Sequence, residues 1–115
     1  MQSVHKMSLF SEPFEMIRSG KKTIELRLND KKRQQIKTGD HIVFTNTETG
    51  EKMIAEVADL HRFPSFKELY QALPLLQCGY DESSIVNAKP EDMDMYYSRE
   101  RQKKYGVLGI EIRMI

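Results

Sequence analysis

The stretch Gly20-Lys21-Lys22-Thr23-Ile24-Glu25-Leu26-Arg27-Leu28 sets the frame for the rest of the chain. From Thr23 onward polar and apolar residues alternate without exception. A strand here buries Ile24, Leu26 and Leu28 on one face and displays Thr23, Glu25 and Arg27 on the other. The ordinary use of such a row is a solvated strand face carrying cross-strand ion pairs. Its density points further: Lys22, a hydroxyl, a carboxylate and a guanidinium follow one another closely. If that face lies in a cleft, these groups can pair a base edge, hold a phosphate or serve acid–base chemistry.

The flanking segments define what this strand packs against. Upstream, Ser11 is placed to cap a helix of about residues 12–19, with Pro13 in its first turn, Phe14 and Ile17 on one face and Gly20 as its stop. Downstream, Asn29 to Gln35 is charged and lacks apolar residues, and Lys37-Thr38-Gly39-Asp40 carries turn chemistry. Residues 41–60 read as a hairpin, two strand-like runs joined across Asn46 to Gly50. Ser65-Phe66-Lys67-Glu68 matches a capping box, opening a helix with Phe66, Leu69, Tyr70 and Leu73 as its stripe and Pro74 at its end. Pro90 opens another helix, expected to run to Gly106, with acids at its start and Arg99, Arg101, Lys103 and Lys104 near its end. Val107 to Met114 alternates as a final strand. The order helix, strand, hairpin, helix, helix, strand admits an extra strand at residues 4–10 and contains no regular βαβ repeat. The class is therefore α+β: a small, mostly antiparallel sheet or barrel with flanking helices.

Composition narrows the function. A chain of 115 residues is expected to form one domain, residues 1–115, burying roughly two-thirds of its unfolded surface without needing disulfides. Cys78 is the only cysteine, so no internal bridge forms and a reducing, cytoplasmic setting is expected. No stretch approaches the ~18 apolar residues of a membrane helix, and no leader pattern stands at the N-terminus. The formal net charge is +1, but it is unevenly spread: residues 1–40 carry nine Lys/Arg against five Asp/Glu, residues 41–95 four against ten, and residues 96–115 five against two. If the basic ends meet in the fold they form one positive face, which attracts phosphates.

Other chemistries fit poorly. Gly20-Lys21-Lys22-Thr23 superficially resembles a phosphate-binding loop, yet Glu15 occupies the first glycine's place and the segment joins a helix to a strand, the reverse of what that motif needs. His5, His41 and His61 are far apart in sequence and Cys78 has no cysteine partner, so no metal is expected; the acids Glu91, Asp92 and Asp94 suit a helix's first turn. Cys78 as a nucleophile would need His41 or His61 beside it as base. A lone cysteine is more commonly a small buried residue. No cofactor is implied.

Residues 20–27 also resemble the G-x-K-x-x-E-x-R signature of the ASCH domain, a β-barrel family related to the PUA domains of RNA-modifying proteins. Lys37 to Phe44 is similar to that family's turn into its second strand, and Tyr96 to Ile110 to its closing helix and strand. The resemblance implies a closed, curved PUA-like sheet with a central cleft and the basic ends beside it. It implies that Lys22, Glu25 and Arg27 line the cleft, with Gly20 making the preceding turn. The expected partner is RNA or a modified nucleoside, contacted by Lys21, Lys22, Thr23, Glu25 and Arg27. Tyr96, Tyr97 or Tyr105 is available to stack on a base, with Tyr97 the preferred site residue. A second reading implied by the resemblance is an amidohydrolase acting on N(4)-acetylcytidine or a related acylated nucleoside. It would use Lys22 and Thr23 catalytically, with Glu25 standing where the catalytic threonine of such enzymes is found and Glu68 as a candidate for their distant glutamate. A third is a protein-interaction module without a nucleic acid partner.

Overall fold

The computed structural model describes residues 2–115. Five strands form one sheet: β1 (Val4–Leu9), β2 (Ile24–Leu28), β3 (His41–Asn46), β4 (Lys52–Phe63) and β5 (Val107–Met114). Three α-helices accompany them, α1 (Ser11–Arg18), α2 (Phe66–Ala72) and α3 (Arg99–Tyr105), with short 3-10 segments at Arg33–Gln35, Leu75–Gln77, Ile85–Asn87 and Pro90–Met95. The sheet order is β1-β3-β4-β5-β2. Only β1 and β3 are parallel; the other neighbours are antiparallel. The sheet curls into a half-barrel whose two edges, β1 and β2, are not ladder partners. The closed sheet that the family resemblance implied is thus open along one seam.

Burial explains why the central strand reads differently from an ordinary antiparallel one. In β5, Val107, Leu108, Gly109 and Ile110 are all buried, because the sheet is covered on both faces there. Leu108, Ile110 and Ile112 join Phe14 and Ile17 of α1 with Ile42, Phe44 and Val57 in one core. Val107 joins Ile24, Leu26 and Leu28 of β2 with Phe66 and Leu69 of α2 in the other. Covered on both faces, the first half of β5 is apolar on both, and polar residues enter its alternation only at Glu111 and Arg113. Side chains of this size each gain about 1.5–3 kcal/mol on full burial.

Several local expectations change in the folded chain. Ser11 is the first residue of α1 and its side chain caps nothing in the helix; the N-cap is Phe10, and the Ser11 hydroxyl lies 3.2 Å from Asn46 Oδ1. At α2, Ser65 is the N-cap, but its hydroxyl bonds the Glu68 carboxylate instead of a helix amide. The helix expected from Pro90 to Gly106 is broken. A 3-10 segment ends at Met95, and Ser98 starts α3 by accepting a hydrogen bond from the Arg101 amide at 3.2 Å. Gln102, almost fully buried, spans the break, donating to the Tyr97 carbonyl at 2.8 Å and to Asp94 Oδ1 at 2.9 Å. Serine offers the backbone a better terminus than a helix interior. That preference, hidden among helix-forming neighbours, outweighs the continuous periodicity. The strand at residues 4–10 forms as Val4–Leu9.

Candidate functional site

The register of β2 on β5 decides where the signature row points. Glu25 lies opposite Ile110 and Arg27 opposite Leu108, whereas Leu26 faces Gly109. Directly opposed residues share a face, so Glu25 and Arg27 project on the side of the first core. They are not displayed to solvent as the alternation alone predicted: Glu25 is only 4% exposed. Lys22 precedes the strand, its amide held by the Met16 carbonyl at 3.0 Å, and Gly79 lies against its aliphatic stem.

These three side chains form an ion-paired cluster that keeps further N–H donors and carboxylate lone pairs unused. Lys22 Nζ lies 2.9 Å from Glu25 Oε1 and Arg27 Nε 2.7 Å from Glu25 Oε2, so each carboxylate oxygen holds one cation. Burial pushes the Glu25 carboxyl upward, but the fields and hydrogen bonds of Lys22 and Arg27 outweigh it and hold Glu25 below the usual carboxylate range. Burial likewise disfavours the Arg27 cation, and Glu25 more than restores it. Arg27 Nη2 then reaches across the seam to the Ser8 carbonyl of β1 at 3.1 Å.

A cavity of about 590 Å³ opens above this floor. One part of its wall comes from the β1–α1 junction, including Phe10, Glu12 and Met16, and another from Tyr70, Cys78, Tyr80, Asp92, Met93 and Met95 to Tyr97. The second part is tied together by a hydroxyl chain: Tyr80 donates to Asp92 Oδ2 at 2.7 Å and receives the Tyr70 hydroxyl at 2.6 Å. Burial, with these bonds, pushes the Tyr80 phenol up, so Tyr80 stays protonated and keeps the chain intact. Large apolar side chains stand exposed where the cavity meets solvent: Phe10 at 66%, Met95 at 80% and Tyr96 at 61%. The ionisable lining, Lys22 and Arg27 against Glu12, Glu25 and Asp92, is not a basic trench. Its chemistry suits a flat, hydrogen-bonding ligand.

Of the residues singled out from sequence for ligand contact, Lys22, Glu25, Arg27, Tyr96 and Tyr97 line the cavity, and Tyr105 does not. Tyr97 is packed flat against Phe66, ring centroids 6.3 Å apart. Its neighbour Tyr96 presents the more exposed ring. Thr23 is outside the lining, its hydroxyl donating to Gln77 Oε1 at 3.2 Å, and Lys21 is exposed on the preceding turn. Glu68 is held by Ser65 and also lies outside. Cys78 lines the cavity but is buried, and burial pushes its thiol up to about 11. His61 is bonded to Glu111 at 3.2 Å and His5 to Asp40 at 2.8 Å. Among the described residues no group of His, Cys, Asp and Glu is arranged to hold a metal, and no helix is long and apolar enough to cross a membrane. Phe10, Tyr80 and Met95 were missed from sequence, where nothing distinguishes them from core residues.

The ASCH domain family matches residues 7–115. No curated protein matches the chain. Among solved structures, the hypothetical protein PH0355 is 37% identical, with a TM-score of 0.80 over 97% of this chain and 99% of that one. Protein PF0455 from Pyrococcus furiosus is 34% identical, with a TM-score of 0.75 over 97% of both chains. A mutant form of ZmASCH from Zymomonas mobilis superimposes with a TM-score of 0.68 over 97% of this chain and 70% of that one, at 16% identity, a likeness of fold alone.

Proposed function

The chain belongs to the ASCH domain family, and from that premise we propose that its cavity binds a base of single-stranded RNA or a modified nucleoside. ASCH domains are generally RNA-binding. The observation that carries the reading is the pairing of exposed Phe10, Met95 and Tyr96 at the cavity mouth with the Lys22–Glu25–Arg27 floor. A nucleobase has a flat apolar face and a polar edge. Stacking on an aromatic side chain contributes about 1–3 kcal/mol per base, and the floor supplies donors from Lys22 and Arg27 and an acceptor in Glu25 for the edge. The near balance of charge in the lining suits a base or nucleoside better than a chain of phosphates.

The amidohydrolase reading shares this cavity. It gains Lys22 and Glu25 side by side, and leaves Thr23 turned to Gln77.

The test is calorimetric titration with cytidine and N(4)-acetylcytidine and fluorescence anisotropy with a labelled single-stranded oligoribonucleotide, on the wild type and on Tyr96→Ala and Phe10→Ala. Each mutation is expected to weaken binding roughly tenfold while leaving stability unchanged, since both rings are exposed. Absence of binding by nucleosides and RNA alike overturns the reading and favours an interaction module. Chromatographic conversion of N(4)-acetylcytidine to cytidine, lost in Lys22→Ala, would make the protein an amidohydrolase.

A further inference from the structure

Several basic residues that the cavity does not use come together around Asn29 and Asp30. Asn29 follows β2 directly, and its amide donates to the Gly106 carbonyl at the end of α3 at 3.0 Å. This bond continues the β2–β5 ladder and brings the basic run Lys31-Lys32-Arg33 near the basic helix α3. Arg33 Nη1 lies 3.2 Å from Asp30 Oδ2 and Arg101 Nη2 3.9 Å from the same oxygen. Arg62, from the end of β4, reaches Asn29 Oδ1 at 3.3 Å. Arg101 and Lys104 both lie over the Tyr105 ring, 5.9 and 5.2 Å from its centroid.

Charge on this face is in surplus. Asp30 is the sole carboxylate that pairs with these side chains, and among the described residues Lys31, Lys32, Arg62 and Lys104 have no ion-pair partner. Arg33, its side chain 19% exposed, holds Asp30 through Nη1, while its Nε is buried without an acceptor. The face also adjoins the cavity: Tyr97, in the cavity wall, accepts at its carbonyl from Gln102 of α3 at 2.8 Å.

We propose that Arg33, Arg62, Arg101 and Lys104 form a track for the phosphodiester backbone of single-stranded RNA leading away from the cavity. The proposal rests on the reading of that cavity as a base site and divides the labour between two surfaces. The base is read where aromatic rings and a balanced polar floor meet; the phosphates lie where cations outnumber the one carboxylate, Asp30, that pairs with them. Arginine forks match phosphate oxygens in a bidentate manner, and release of condensed counterions drives such contacts. An acidic protein segment is the competing occupant. Continuity with a cavity shaped for a base favours RNA.

The test uses Arg101→Gln/Lys104→Gln, both exposed, and separately Arg33→Gln, with circular dichroism confirming the fold of each. For a single strand each phosphate contact contributes about 0.7 to the slope of log K against log salt. The double variant is expected to bind a single-stranded oligoribonucleotide with a slope shallower by about 1.4 and to bind free cytidine as the wild type does. If the slope is unchanged while Tyr96→Ala still weakens nucleoside binding, the track is overturned and the cavity reading survives. If nucleosides do not bind but the oligonucleotide does, with the slope reduced in the double variant, the cavity reading falls and the track stands. Loss of binding to polyglutamate with RNA binding unaltered would assign the face to an acidic protein and overturn the proposal.

Discussion

Arg27 Nη2 on edge strand β2 donates to the Ser8 carbonyl on edge strand β1 at 3.1 Å, so one side chain spans the seam that the backbone ladder leaves open. The same guanidinium holds Glu25 at 2.7 Å. Lysine carries the charge but lacks the fork needed to serve both acceptors. Arg27→Lys is therefore expected to lose about 1 kcal/mol in urea denaturation, and Arg27→Met more, because Glu25 then keeps only Lys22. A lysine variant as stable as the wild type would remove the seam from the account.

Glu25 makes stability depend on pH in a defined direction. Its folded-state pKa is below that of the unfolded chain, so its contribution is present above the ordinary carboxylate range and is lost as pH falls through the lowered folded value. Glu25→Gln leaves Lys22 and Arg27 without a counter-charge and is expected to cost about 3–5 kcal/mol at neutral pH. The gap from the wild type should close on acidification. Urea midpoints at pH 7, 5 and 3 measure it; a gap independent of pH would mean that Glu25 is not held as a carboxylate.

Cys78 sits in the cavity wall with its thiol pushed up to about 11, first by burial. The thiolate is the reactive species. In the native protein at pH 8 a disulfide-exchange reagent should modify essentially no thiol within minutes, and in denaturant one per chain. Prompt modification of the folded protein would return Cys78 to the candidates for chemistry.

Gly106 closes α3 at φ +71°, and a Cβ there would lie 2.9 Å from the Phe63 backbone carbonyl. Strain and collision act together, so Gly106→Ala should cost at least about 1–3 kcal/mol. Gly20, at φ +84°, has open space around it, and Gly20→Ala should cost about 1–2 kcal/mol. Thermal unfolding of the two variants compares a positive φ in open space with one where the added Cβ also meets the Phe63 carbonyl.

The strands, the hairpin and the helix starts are largely local properties. Thr23 to Leu28 and Val107 to Met114 declare themselves through alternation, and the turn at Asn46 to Gly50 through its residue types; Val4 to Leu9, with His5 and Lys6 adjacent, is admitted only as an extra strand. The break at Tyr96–Ser98 was less legible, because it depends on Ser98 capping a helix and on Gln102 satisfying the carbonyl of Tyr97. Phe10 was illegible as a cavity residue, since an exposed ring is informative only once its neighbours are known.

By itself the sequence determined that Lys22, Glu25 and Arg27 belong to one structural unit, because a strand's period of two and a helix stop at Gly20 are written in consecutive residues. It also carried the α+β class, through the order of those periods. Only the tertiary structure decided that this row is buried instead of solvated, since that depends on Glu25 falling opposite Ile110 of a strand far along the chain. Likewise, only folding brought residues 29–33 against residues 101–106, turning two separate basic stretches into one face. Periodicity is fixed by the geometry of neighbouring peptide units, whereas burial and electrostatic field are set by whatever distant segment arrives beside them.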